Sequence, residues 1–208
     1  MRLHHFAERY LSVRMLVDDR VNVQGGWFVF MSVLILLIPI KLVLAWLLSV
    51  AFHEMCHVLV LGICRVPIHG FRITCNGVCI MTDLMSPPKE LFCALAGPVG
   101  GFLLVLFGKI WPCLAVCSVA LSIFNLIPLY PYDGGRILHS LLTMLLPLDQ
   151  GEKIMTRLKR IILFSSLAFG TVVLIQGMGM IPLLLIFMIW FRSSSRNFPC
   201  KARKQIVQ

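Results

Sequence analysis

The chain has 208 residues, of which 59% are hydrophobic and only 13% charged, and its mean hydropathy is +0.90. Those values exclude a soluble domain of this length and read as an integral membrane protein. The net charge of +10 does not mark a nucleic-acid binder, because the basic residues lie between apolar spans and in the tail rather than in a patch with interleaved aromatics. They serve better as topology signals against an anionic membrane face.

Residues 1–20 carry Arg2, Glu8, Arg9, Arg14, Asp18, Asp19 and Arg20 and lack a compact apolar core, so no cleavable signal is expected and this stretch reads as a cytoplasmic N-terminal segment. Val21 to Ile40 is uncharged and, as helix, would cover about 30 Å, enough for a first span. Trp27 stands near one interface, and Lys41 marks a turn after Pro39. The second span, Leu42 to Ile63, holds His53-Glu54-Met55-Cys56-His57 in its later half. Imidazoles at i and i+4 converge on one cation at zinc–nitrogen distances of roughly 2.0–2.1 Å, while the intervening Glu stays close enough to take a proton from a bound water without ligating. The other reading, three polar residues merely paired in a helix bundle, is the weaker one, since a charged side chain at the bilayer centre costs on the order of 3 kcal/mol and marks function.

Residues 64–90 interrupt the apolar pattern with Arg65, Pro67, His69, Arg72, Asp83, Pro87, Pro88 and Lys89. Within them, β-formers flank Asn76-Gly77, which predicts a type I′ hairpin at the membrane surface. Cys75 and Cys79 lack metal-ligand spacing. The eight cysteines are expected as reduced thiols rather than a disulfide framework, because five of them (Cys56, Cys64, Cys93, Cys113 and Cys117) lie in or beside apolar runs. Leu91 to Gly108 is the third span, and its small residues Ala94, Ala96, Gly97, Gly100 and Gly101 permit close helix approach. Ile110 to Leu148 reads as one broken crossing, interrupted by Pro112, Pro128 and Pro131, whose unwound middle carries Asn125 and Asp133. Irregular backbone at that depth must line protein or a polar cavity. Asp133 needs a partner, and the two histidines supply one.

Ile161 to Phe191 is read as two short spans joined around Gln176 to Pro182. Lys153, Arg157, Lys159 and Arg160 before it, as a loop, and the basic residues after it then share the cytoplasmic side. The whole is expected to be an all-α integral membrane fold of about six transmembrane helices, with a broken fourth helix and a small membrane-surface β-hairpin. The membrane domain covers 21–191 with its core at 42–148, and 192–208 is a basic cytoplasmic tail. Both termini face the cytoplasm of a multi-pass protein in the cell membrane, and only Lys41 and Lys109 fall outside.

Three elements coincide: His53-Glu54-Met55-Cys56-His57, Ala96-Gly97-Pro98-Val99-Gly100-Gly101, and Asn125 to Arg136 with Asp133-Gly134-Gly135. Together they resemble the site-2 protease family of intramembrane zinc metalloproteases, over roughly residues 42–140. The resemblance implies Zn2+ held by His53, His57 and Asp133, Glu54 as general base, and Asn125 facing the active site to orient substrate or stabilise the oxyanion. It implies cleavage of membrane-embedded or membrane-tethered protein substrates within the lipid bilayer, with a regulatory membrane protein as a further partner and no nucleic acid. The layout is similar to sporulation-type and other minimal members. The family commonly has Gly where Cys56 stands, Asn near Gly101 and Leu where Tyr132 stands. The small volume of Cys56 suits close packing, with metal ligation as the weaker reading. Arg136, one turn past Asp133, is expected to meet backbone carbonyls or headgroups, or else to orient Asp133. Glu8, Glu90 and Glu152 read as surface residues, and His69 and His139 as interfacial or hydrogen-bonded. A membrane metal or proton transporter using the same His/Glu/Asp cluster is the alternative class.

Overall fold

The computed structural model describes residues 21–74 and 77–176. Val21, Asn22 and Val23 form a strand, β1 (Val21–Val23), and the glycine pair then opens α1 (Gly25–Leu37). The expected first span is therefore a strand followed by a helix of 13 residues, which rises only about 20 Å. Pro39 ends α1: Ile38 before it is extended, with φ −121° and ψ 138°, as the proline ring demands of its predecessor. The long helix α2 (Ile40–Ile63) follows at once. Trp46 of α2 stacks on Trp27 with ring centroids 6.5 Å apart and meets Phe30 edge-on at 6.1 Å, holding α1 against α2.

One face of α2 is buried, and it is marked by Ala45, Ser49, His53, His57 and Leu61, each four residues after the last. That spacing keeps them in one column along the helix. The helix ends in a Schellman motif: Arg65 N–H donates to Gly62 C=O at 3.1 Å, Val66 N–H to Leu61 C=O at 3.0 Å, and Arg65 is left-handed with φ 54°. The chain then enters β2 (Ile68–Thr74) and β3 (Gly77–Thr82), paired antiparallel with an irregularity between Ile68 and Gly70.

The expected hairpin is thus present, as part of a three-stranded sheet. β1 lies parallel to β2, Val21 opposite Phe71, giving the order β1-β2-β3. Its turn is one residue earlier than expected, because Gly77 already pairs with Thr74 and the connecting positions 75 and 76 fall outside the described residues. A second expectation fails at Cys79, which is disulfide-bonded, whereas Cys56, Cys64, Cys93, Cys113 and Cys117 are free thiols.

α3 (Pro87–Leu103) continues as a 3-10 turn, Leu104–Phe107, and is followed by α4 (Pro112–Asn125) and α5 (Asp133–Leu145). Residues 126–132 separate α4 from α5, which is the broken crossing read from the prolines. α6 (Leu148–Ile175) is a single helix of 28 residues. The basic stretch from Lys153 to Arg160, expected as a loop, is its first half. The second of the two short spans expected within 161–191 lies outside the described residues, as do residues 1–20 and the tail.

Two helices, α2 and α3 with its 3-10 extension, are long and apolar enough to cross a membrane, and α1 and α4 are shorter apolar helices. The six helices among the described residues are therefore not six spans one for one. The surface is apolar where a soluble protein would be polar: Leu36, Ile63, Leu106 and Ile110 are all more than 70% exposed. The buried positions on α2, α4 and α5 include Ser49, His53, His57, Ser118, Ser122, Asn125, Asp133 and Ser140. Such an inverted distribution suits hydrocarbon solvent outside and hydrogen-bonding groups within.

Candidate metal centre

Three helices build the centre. The buried column of α2 supplies His53 and His57, one turn apart. Asp133 is the first residue of α5, where the partial positive charge of a helix N-terminus favours a carboxylate. α3 closes the site with Gly97, at which an added Cβ would lie 2.3 Å from His57 Nε2 and 2.5 Å from His53 Nε2. No side chain larger than hydrogen fits there, so the small-residue run of α3 serves the site directly as well as helix packing.

The donor atoms converge. His53 Nε2 is 3.0 Å and His57 Nε2 3.2 Å from the same oxygen, Asp133 Oδ2, and the two Nε2 atoms are 3.2 Å apart. A tetrahedron of ligands about 2.0–2.1 Å from zinc has edges of roughly 3.3–3.4 Å, close to this triangle. His57 Nδ1 lies 2.7 Å from the Cys93 carbonyl. A carbonyl only accepts, so Nδ1 carries the proton and Nε2 of the neutral ring turns its lone pair into the site. His53 Nδ1 is buried without a hydrogen-bond partner among the described residues. The cluster of His53, His57 and Asp133, all buried, fits a zinc site: its nitrogen and oxygen donors are those zinc accepts, and a cation relieves three lone pairs facing one another.

Glu54 follows His53 on α2 and is half-buried, unlike the ligand pair. Asn125 is 7% exposed at the last position of α4, just before the break, and stands outside the three-residue cluster. Cys56 is turned to α3, where a Cβ on Gly100 would come 2.2 Å from its Sγ. It is packing against the glycine run and is no member of the metal cluster. His69 pairs at the sheet surface with Asp83 at 2.8 Å. The His139 ring lies edge-on to Tyr130, centroids 5.6 Å apart.

Sequence reasoning missed Glu90. It sits in the first turn of α3, and its Oε1 lies 3.6 Å from Arg136 Nε, while Arg136 Nη1 lies 3.6 Å from Asp133 Oδ1. Arg136 thus stands between a candidate ligand and a second carboxylate. The Asp133–Arg136 half was visible as an i, i+3 pair. Nothing local points from Arg136 back to Glu90.

Residues 105–169 match Peptidase family M50, a segment that contains Asn125, Asp133 and Arg136 but begins beyond the two histidines. The chain is 27% identical over 163 residues to zinc metalloprotease MJ0392 of Methanocaldococcus jannaschii, an alignment covering 72% of this chain and 47% of that protein. The chain therefore spans about half the length of this curated relative. Its fold is similar to that of the solved site-2 protease from Methanocaldococcus jannaschii, with a TM-score of 0.67 at 24% identity, covering 88% of this chain and 93% of the other. In matched segment, in sequence relative and in fold, the chain resembles the site-2 proteases, the zinc metalloproteases of peptidase family M50.

Proposed function

We propose that this chain is an intramembrane zinc metalloprotease that hydrolyses peptide bonds in or next to the transmembrane segments of membrane-tethered proteins. The observation that carries the reading is the convergence of His53 Nε2, His57 Nε2 and Asp133 Oδ2 within an apolar helix bundle, with Glu54 beside His53. On this reading His53, His57 and Asp133 hold the ion. Zinc, when bound, would supply a Lewis acid that polarises a carbonyl and lowers the pKa of water to about 7. Glu54 takes the proton from the attacking water and gives it to the amine nitrogen as the C–N bond breaks. Asn125, at the break between α4 and α5, orients the substrate or donates to the carbonyl oxygen.

The sheet supports a docking mode. β3 is the last strand in the order β1-β2-β3, so an unwound substrate segment adds along its outer edge through main-chain hydrogen bonds. A transporter reading would need further ligands along a pathway. Among the described residues only one cluster of three metal-ligating side chains occurs.

The experiment is co-expression with a membrane-tethered substrate tagged at both ends, followed by fractionation. Glu54→Gln keeps size and polarity but cannot accept the proton, so it retains fold and zinc while the shortened soluble fragment disappears. A Glu54→Gln protein that still generates that fragment overturns the mechanism.

A further inference from the structure

Asp133 uses its two oxygens differently. Oδ2 faces both histidines, whereas Oδ1 faces Arg136 Nη1 at 3.6 Å. Arg136 in turn reaches Glu90 Oε1 at 3.6 Å through Nε, so one guanidinium spans from α5 to the first turn of α3. Both outer side chains are only about a quarter exposed, Arg136 at 28% and Glu90 at 25%. In that setting charge is weakly screened.

We infer that Arg136 and Glu90 form a positioning pair for the metal centre: Arg136 holds Oδ1 of Asp133 so that Oδ2 alone points at the cation, and Glu90 cancels the charge Arg136 brings. The inference rests on the zinc reading of His53, His57 and Asp133. The need for Glu90 follows from charge. With a divalent cation bound, the carboxylates of Asp133, Glu54 and Glu90 together balance that ion and the Arg136 guanidinium. Without Glu90, an uncompensated guanidinium lies one side chain from a cation site, where it repels the ion. Without Arg136, Asp133 is free to rotate about its terminal torsion and Glu90 loses its partner. Groups that orient a metal ligand in this way typically govern affinity by about 10–100-fold.

A purely structural salt bridge between α3 and α5 would behave otherwise, and a charge exchange separates the two. Zinc affinity is read on purified full-length protein by competition with a chromophoric chelator, alongside thermal unfolding of the zinc-free form in detergent. Wild type binds about one zinc per chain. Arg136→Gln and Glu90→Gln each weaken zinc binding by about 10-fold or more, and the double substitution is no worse than Arg136→Gln alone, since Glu90 acts through Arg136. Glu90→Arg/Arg136→Glu restores the link between helices but sets a carboxylate against Asp133, so thermal stability returns while zinc affinity stays at or below that of Arg136→Gln. The inference is overturned if the exchange restores zinc affinity together with stability, or if both single variants bind zinc within about 2-fold of wild type, since an orienting effect on the metal ligand would then be absent. Glu90→Gln, isosteric and partly exposed, decides the matter if Arg136→Gln does not fold. Wild type that takes up no zinc would defeat the zinc reading itself, and the inference with it. That outcome is distinct, because it appears before any variant is compared.

Discussion

At the residue scale, the centre depends on a few atoms held at short range by groups that do not ligate. Cys93 contributes only its backbone carbonyl, yet that acceptor selects the tautomer of His57. Gly97 contributes only the absence of a Cβ. Because each donor atom completes one corner of the same triangle, deletion of any one should empty the site rather than weaken it slightly. Purified protein is expected to hold about one zinc per chain, and His53→Ala and Asp133→Ala to hold little, as measured by elemental analysis of detergent-purified samples. Full occupancy in either variant would refute the ligand assignment. The i, i+4 histidines were readable in the sequence because helical periodicity alone brings them together, and Asp133 was readable because a buried carboxylate must find a cation. Glu90 was not. It meets Arg136 across a gap of dozens of positions, and only the packing of α3 on α5 creates that neighbour.

At the element scale, the glycine run of α3 is matched residue by residue to what faces it. Gly97 lies under the histidines, Gly100 under Cys56 and Gly101 under Ser122, whose Oγ would be 2.0 Å from an added Cβ. Cys56 and Gly100 therefore form a bump and a hollow across the α2–α3 contact. Gly100→Ala should destabilise the protein by about 1–3 kcal/mol, the usual range for overpacking. Cys56→Gly should relieve most of that loss, since both atoms that crowd the new methyl belong to Cys56. Thermal unfolding of the four-member cycle in detergent tests this, and strictly additive effects would show that the two residues do not share the space. Hydropathy identified α2 and α3 correctly but erred at Val21–Leu37. An apolar run sets only an upper limit on a helix, and Val-Asn-Val found a strand partner in Phe71 to Ile73. The same blindness split the basic and apolar halves of α6 into a loop and a span, because charge marks where a chain leaves lipid and not where its helix ends.

At the scale of the whole molecule, two observations bear on orientation and pull apart. The distribution of basic residues favours the cytoplasmic side for the sheet and the start of α6, whereas the disulfide at Cys79 suits an oxidising compartment. The charge distribution draws on the entire chain, and the cytoplasmic arrangement is the one we propose. Single cysteines at Ser86, Glu152 and Ser195 in a cysteine-free background should all be protected from an impermeant reagent on intact cells. Labelling at Ser86 and Glu152 would invert the orientation, and labelling at Ser195 alone would mean that the stretch beginning at Ile161 crosses once. The separation of the ligands also sets an order of events. His53 and Asp133 lie 80 positions apart, with α3 and α4 between them. A chain still being threaded into the membrane carries two imidazoles and nothing for them to close upon. The metal centre comes into being only when α5 arrives, so a half-made copy is chemically silent toward its neighbours.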